Sequence, residues 1–216
     1  FVENNDLENI KPKNTAKNNQ EINTAVKSIA LTEEKMTTIE TDLYIAKISS
    51  VHGGSIHSFK IKRHLSPDST LVNLINGQNK RNLVVSFDDY NGEKIILGDG
   101  WNGSHSYDSL YINNETSLSY TLTIGENTAK KTITFFPDSY LFDISIDLVA
   151  FSENMLGNRV SLDWVGGLPT TEKDTITDKT YFGAYLHQGG ELLDVKAGEK
   201  ESFVNDYKGK SVWVAT

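Results

Sequence analysis

Between Ser117 and Ile124 the chain alternates without a break, with Leu118, Tyr120, Leu122 and Ile124 on one parity and Ser117, Ser119, Thr121 and Thr123 on the other. A period of two sends successive side chains to opposite sides of an extended backbone, so this segment reads as a half-buried strand and not as an amphipathic helix. The same pattern recurs in Tyr140, Phe142, Ile144, Ile146 and Leu148 against Asp143, Ser145 and Asp147. It returns in Val160, Leu162 and Trp164 against Ser161 and Asp163. Strands with one dry and one wet face must lay the dry face on other apolar surface, and the usual solution is packed antiparallel sheets.

Punctuation supports this. Past Lys35, β-branched and aromatic residues are interrupted by Gly, Asn, Asp and Pro at short intervals, as expected for a large antiparallel architecture. Strands are predicted at 38–50, 55–63, 71–75, 82–90, 93–97, 106–113 and 117–124. Others follow at 129–136, 140–151, 158–165, 180–187, 191–195, 199–205 and 210–215. Asn91-Gly92 predicts a type I′ hairpin turn, which needs positive φ at both central residues. Gly125-Glu-Asn-Thr128 predicts the next hairpin, and Pro137-Asp138-Ser139 a compact corner. Helical periodicity is nearly absent, so the fold class is all-β, either a sandwich or a larger super-sandwich. Residues 1–34 differ: rich in Asn, Lys, Glu and Thr, without Gly, they offer little apolar surface to offset chain entropy. They are expected to be a tether, with a short helix over 23–34 as the alternative.

With 216 residues, 38 % of them apolar, one generous domain is expected. The net charge of −8 opposes binding to nucleic acid or anionic lipid, whose attraction runs through Lys and Arg. Cysteine is absent, which excludes disulfides and thiolate metal sites. Membrane helices need roughly 18 to 20 consecutive apolar residues, and apolar runs such as Ile95-Ile-Leu97 and Leu148-Val-Ala-Phe151 fall far short. The first residue is Phe1 and no leader pattern follows, so the chain is expected to begin inside a longer protein.

Residues able to do chemistry are scattered. Histidines at 52, 57, 64, 105 and 187 form no metal-ligating spacing. His52 and His57 lie on opposite parity and would converge only across a bulge. Asp88-Asp89, and Asp99 with Asp108, could supply the paired carboxylates of a sugar hydrolase only if brought together in space; a solvated turn is the plainer reading of Asp88-Asp89. The sequons at Asn102 and Asn114 are discounted. Trp164 and Trp213 are read first as core anchors, and only Trp101, in Gly98-Asp-Gly-Trp-Asn-Gly103, is a candidate for an exposed aromatic contact. No nucleophile elbow, phosphate-cradling loop or dinucleotide fingerprint is present. No catalytic, cofactor or metal residue is assigned.

Ile39-Glu-Thr-Asp-Leu-Tyr-Ile-Ala-Lys-Ile-Ser-Ser-Val-His-Gly-Gly-Ser-Ile-His-Ser-Phe59 resembles the opening hairpin of the periplasmic domain of the YidC insertase family, with Gly53 and Gly54 as its double-glycine turn. Two glycines there permit positive φ. Thr134-Phe-Phe-Pro-Asp-Ser-Tyr140 is similar to the family's strand-corner-strand segment, with Pro137, Asp138 and Tyr140. Trp164-Val-Gly-Gly-Leu-Pro-Thr-Thr-Glu172 resembles its glycine-bearing stretch, and Tyr207-Lys-Gly-Lys-Ser-Val-Trp-Val-Ala215 its closing segment, with Trp213. The matches run in order over 35–216. One departure is His52, where a basic residue usually precedes the glycines.

The resemblance implies a galactose-mutarotase-like antiparallel β super-sandwich at 35–216. It implies a missing amino-terminal membrane anchor before the tether at 1–34, and a membrane-embedded insertase core after Thr216. It also implies a periplasmic domain of an inner-membrane insertase and chaperone that works alone or with the Sec translocon on nascent membrane proteins. In that setting it has no cofactor or enzymatic activity of its own, and reaches the membrane only through missing transmembrane segments. The alternative on such a scaffold is a carbohydrate-binding or mutarotase-like domain, which needs His105 or His187 facing a carboxylate in a cleft lined by Trp101.

Overall fold

The computed structural model describes residues 33–76, 82–164, 169–171, 173–180, 183–188, 190–196 and 211–215, with the backbone alone for the last of these. The expected tether, helix over 23–34 and strand over 199–205 lie outside the described residues. Within them the all-β expectation is met: fifteen strands form four sheets. They fall into two compact units, one of the residues up to Arg63 and from Asn73 to 164, the other of His64–Val72 and the residues from 169 on.

In the first unit, β1 (Met36–Glu40), β2 (Tyr44–Ser49), β3 (Ser55–Leu65), β4 (Leu71–Asn76) and β8 (Ser109–Tyr111) make a sheet of order β4-β3-β2-β1-β8. The single run expected at 38–50 is therefore a hairpin. Thr41, fully buried, turns it: the Thr41 Oγ1 accepts from the Leu43 and Tyr44 amides at 3.0 and 3.1 Å, and its own N–H donates to the Tyr44 carbonyl. A threonine hydroxyl that satisfies two amides makes a turn without Gly or Pro, so composition gives no warning of it. β8 pairs with β1 in parallel, on the edge that β2 leaves free, and is an exception to the antiparallel plan among the described strands.

A second sheet has the order β11-β10-β9-β7, from β7 (Asn102–Gly103), β9 (Thr116–Ile124), β10 (Asn127–Phe135) and β11 (Phe142–Asp147). Alternation holds in it: Leu118, Tyr120, Leu122 and Ile124 are buried, as are Ala129, Ile133 and Phe135, while Ser117 and Thr123 are exposed. β9 and β10 join through Gly125-Glu126, with Ile124 opposite Asn127 and Gly125 at φ +61°. Positive φ at the first loop position matches the twist of the flanking strands. After β11 the expected strand stops at Asp147, whose carboxylate accepts from the Val149 amide at 3.1 Å. A 3-10 turn at Val149–Asn154 follows and buries Phe151 against Phe87, their ring centroids 5.9 Å apart.

The third sheet runs β12-β5-β6, from β5 (Val84–Asp88), β6 (Lys94–Leu97) and β12 (Val160–Asp163). Its β5–β6 turn is not type I′. Gly92 has φ +78°, but Asn91 is not left-handed. The buried Asp89 carboxylate instead accepts from the Asn91 and Glu93 amides at 2.8 and 2.9 Å, and the Gly92 N–H donates to the Asp89 carbonyl. This is a three-residue loop ending in a left-handed glycine, selected by an aspartate that outbids the asparagine for the turn.

These three sheets share one core, including Ile39, Ala46, Ile48 and Phe59 of the first, Leu118, Leu122, Ile133 and Phe135 of the second, and Val85, Phe87 and Leu97 of the third. Burial of each such side chain contributes about 1.5–3 kcal/mol, which is why the two-residue period decides the fold.

The second unit holds the tip between β3 and β4, where Asp68 accepts from the Thr70 hydroxyl at 2.8 Å, and α1 (Thr175–Lys179), a helix too short for apolar periodicity to announce. The Asp174 carboxylate starts α1 by accepting from the Ile176 and Thr177 amides. A sheet of order β14-β13-β15 completes the unit, from β13 (Gly183–Gln188), β14 (Glu191–Lys196) and β15 (Ser211–Ala215).

Candidate functional site

The residues 50–54 between β2 and β3 are the most tightly specified place in the first unit. His52, Gly53 and Gly54 all have positive φ, at +56°, +67° and +97°. The His52 N–H donates to the Gly98 carbonyl at 3.0 Å and that of Gly53 to the Ser50 carbonyl at 3.1 Å. A Cβ on Gly53 would stand 2.7 Å from Cδ2 of Trp101, and one on Gly54 would stand 2.6 Å from Cδ1 of Ile133 and 2.8 Å from Cε2 of Tyr120. Backbone conformation and close approach thus both require glycine here.

Beneath this turn lies Lys131, fully buried on the inward face of β10. Its Nζ donates to the carbonyls of His52 at 3.1 Å and Leu83 at 2.6 Å. Burial pulls its pKa down from 10.5 to about 7. Asn82 reinforces the junction: its side chain accepts from the Ile56 N–H at 2.8 Å and donates to the Ile56 carbonyl at 2.9 Å, while its own carbonyl accepts from the Ser55 hydroxyl. Lys131 was missed as an inward residue, although the signal was there. Of two adjacent lysines in an alternating strand one must face the core, and Lys131 shares parity with Ala129, Ile133 and Phe135.

Trp101, the candidate for an exposed contact, is instead 2 % exposed, and its Nε1 donates to the Leu97 carbonyl at 3.1 Å. Trp164 is the converse, 40 % exposed where a core anchor was expected, and Val160 and Leu162 of the same parity are exposed with it, so the expected dry face of this segment is uncovered. The Trp213 side chain lies outside the described residues; its backbone pairs with His187. Pro137 and Asp138 form the expected turn, and the Tyr44 hydroxyl donates to the adjacent Phe136 carbonyl at 3.2 Å. Tyr140 is 41 % exposed, its ring centroid 6.4 Å from that of Tyr44.

A bulge does interrupt the β2–β3 register, between the Lys47–Ser58 and Ile48–Ile56 pairs, and the extra residue, His57, is exposed. The His105 Nε2 lies 2.7 Å from the Thr37 hydroxyl, a neutral partner and not a carboxylate. Its ring packs 5.1 Å from Tyr107 and 5.6 Å, edge-on, from Tyr120. Desolvation, with the Lys35 charge behind it, lowers its pKa. Asp89 is spent on its turn while Asp88 faces outward. Among the described residues no group of three or more His, Cys, Asp or Glu is placed to hold a metal ion, and no helix is long and apolar enough to cross a membrane.

The first unit is thus an all-β body whose most constrained residues, at this junction, tie its strands together. The YidC periplasmic domain family matches residues 36–216, and the chain belongs to it. It is 31 % identical over 187 residues to the membrane protein insertase YidC of Chlorobaculum parvum, covering 84 % of this chain and 32 % of that protein. The Chlorobaculum tepidum protein of the same name gives the same identity and coverage, and that of Chlorobium phaeovibrioides is 30 % identical over 198 residues, or 88 % of this chain and 34 % of its own length. The chain therefore spans about a third of the curated relatives it matches. No solved structure matches it at a significant level.

Proposed function

We propose that this chain is the periplasmic portion of an inner-membrane protein insertase, and that it serves as a platform beside a membrane-embedded core without making or breaking bonds. The observation that carries the proposal is the family match across 36–216, which takes in almost all of the β region. In the whole protein the chain at 1–34 is a tether from an amino-terminal anchor, and 35–216 one super-sandwich domain of mutarotase-like type. The core would shelter nascent membrane proteins as they enter lipid, where a polar groove lowers the cost of moving polar residues past the headgroups. Gly53, Gly54, Pro137, Asp138, Tyr140 and Trp213 act in this reading as structural signature residues. The domain contacts Sec translocon components and acts as a chaperone during insertion.

Photo-crosslinking from exposed positions of the domain within the full-length protein tests this. Adducts with Sec components or nascent membrane proteins are expected. Their absence from every surface, together with normal insertion by a protein lacking 36–216, overturns the platform role.

A further inference from the structure

Lys131 joins three chain segments that are far apart in sequence. From β10 its amine reaches the carbonyl of His52 in the turn after β2 and that of Leu83 just before β5. Both acceptors belong to non-glycine residues held at φ +56°, a conformation that costs free energy and persists only where surroundings enforce it. A neutral amine has two N–H groups, and two carbonyls await them. An ammonium has three, and carries a charge that needs compensation in a buried setting.

Among the described residues no anion compensates it. The ion pairs among the described residues are Lys62 with Glu40 and Lys94 with Asp163, and neither involves Lys131. On β9 the residue opposite is Tyr120, and on β11 it is Ile146. The Tyr120 phenol is pushed well above its ordinary pKa by burial, with Tyr107 adding to the shift, so it stays neutral. The turn contributes His52, which is never an anion near neutrality, and the segment before β5 contributes Asn82 and Leu83. Asp143 and Asp147 on β11 are exposed on the far face, and Asp99, which follows Gly98, makes no ion pair with the amine.

We propose that Lys131 is a proton-operated latch: uncharged, it clamps the double-glycine turn and the entry to β5 onto β10, and on gaining a proton it loosens that clamp. The folded-state pKa of about 7 lies below the ordinary 10.5, so between these values the unfolded chain binds a proton that the folded one does not. Stability therefore rises with pH through this window and is lowest below about pH 7. The contribution of this one group approaches a tenfold change in the unfolding constant per pH unit.

The direct test is an NMR titration of the Lys131 side chain in the 216-residue chain, with amide hydrogen exchange followed at 52–54 and 83–84. A titration midpoint near 7, with exchange at those amides speeding up below it once intrinsic rates are corrected, supports the latch. A midpoint near 10.5, or exchange that does not respond, overturns it. Lys131→Gln keeps two donors without a titratable charge. It should flatten the stability slope between about pH 7.5 and 9.5 relative to the parent, and an unchanged slope overturns the proposal. Should that variant not fold, the titration of the parent protein decides.

Discussion

Cδ1 of Ile133 occupies the space a Cβ on Gly54 would need, 2.6 Å from its ideal position. β10 and the turn after β2 are therefore packed backbone against side chain, with no room for even a methyl group. Residues 79 positions apart in sequence are fitted to one another at this point, and neither alone reveals the fit.

Gly54→Ala should cost about 2–4 kcal/mol, combining a left-handed backbone with overpacking. Gly53→Ala, facing Trp101 at 2.7 Å, should behave alike. Gly92→Ala is the control: φ is +78° but nothing lies within 4 Å of the added carbon, so only the backbone cost of about 1 kcal/mol remains. Urea unfolding of the three variants checks the order, and equal losses at positions 54 and 92 would refute the packing argument.

Asn82→Ala leaves the Ile56 N–H and carbonyl without their buried partner. Each unsatisfied group costs about 1–3 kcal/mol, so a loss of about 2–4 kcal/mol is expected in denaturant titration. Exchange of the Ile56 amide should accelerate by more than that of amides at the centre of β9.

The tryptophans differ in exposure, and fluorescence reads this directly. Trp101→Phe should remove emission that acrylamide quenches poorly, because Trp101 is 2 % exposed. Trp164→Phe should remove readily quenched emission, because Trp164 is 40 % exposed. The first variant should also lose about 1–3 kcal/mol of stability, since the Leu97 carbonyl is left without its donor.

Burial pushes the Tyr44 phenol from 10.0 up to about 12. A raised folded-state value means that the group's stabilising contribution is whole below pH 10 and is lost as pH rises through 12. Stability measured between pH 10 and 12 should therefore fall less steeply in Tyr44→Phe than in the parent. At neutral pH that variant should cost about 0.5–1.5 kcal/mol for the bond to the Phe136 carbonyl, because its stack on Phe59, with centroids 4.7 Å apart, is kept.

The two-residue period was enough to settle the all-β class, the inward faces of β9 and β11, and the place of the Gly53-Gly54, Gly125 and Pro137 turns, because strand parity and turn chemistry are local properties. The tertiary structure alone decided the rest. Alternation says which residues share a face but not what covers it, so Trp101 and Trp164 exchanged their expected places. Nor does it say which backbone carbonyls will wait inside: Lys131 could be buried only because two left-handed residues, 79 and 48 positions away, turn their carbonyls toward it. The hairpin at Thr41 and the parallel pairing of β1 with β8 have the same origin, since side-chain hydrogen bonds and free sheet edges exist only once the strands have come together.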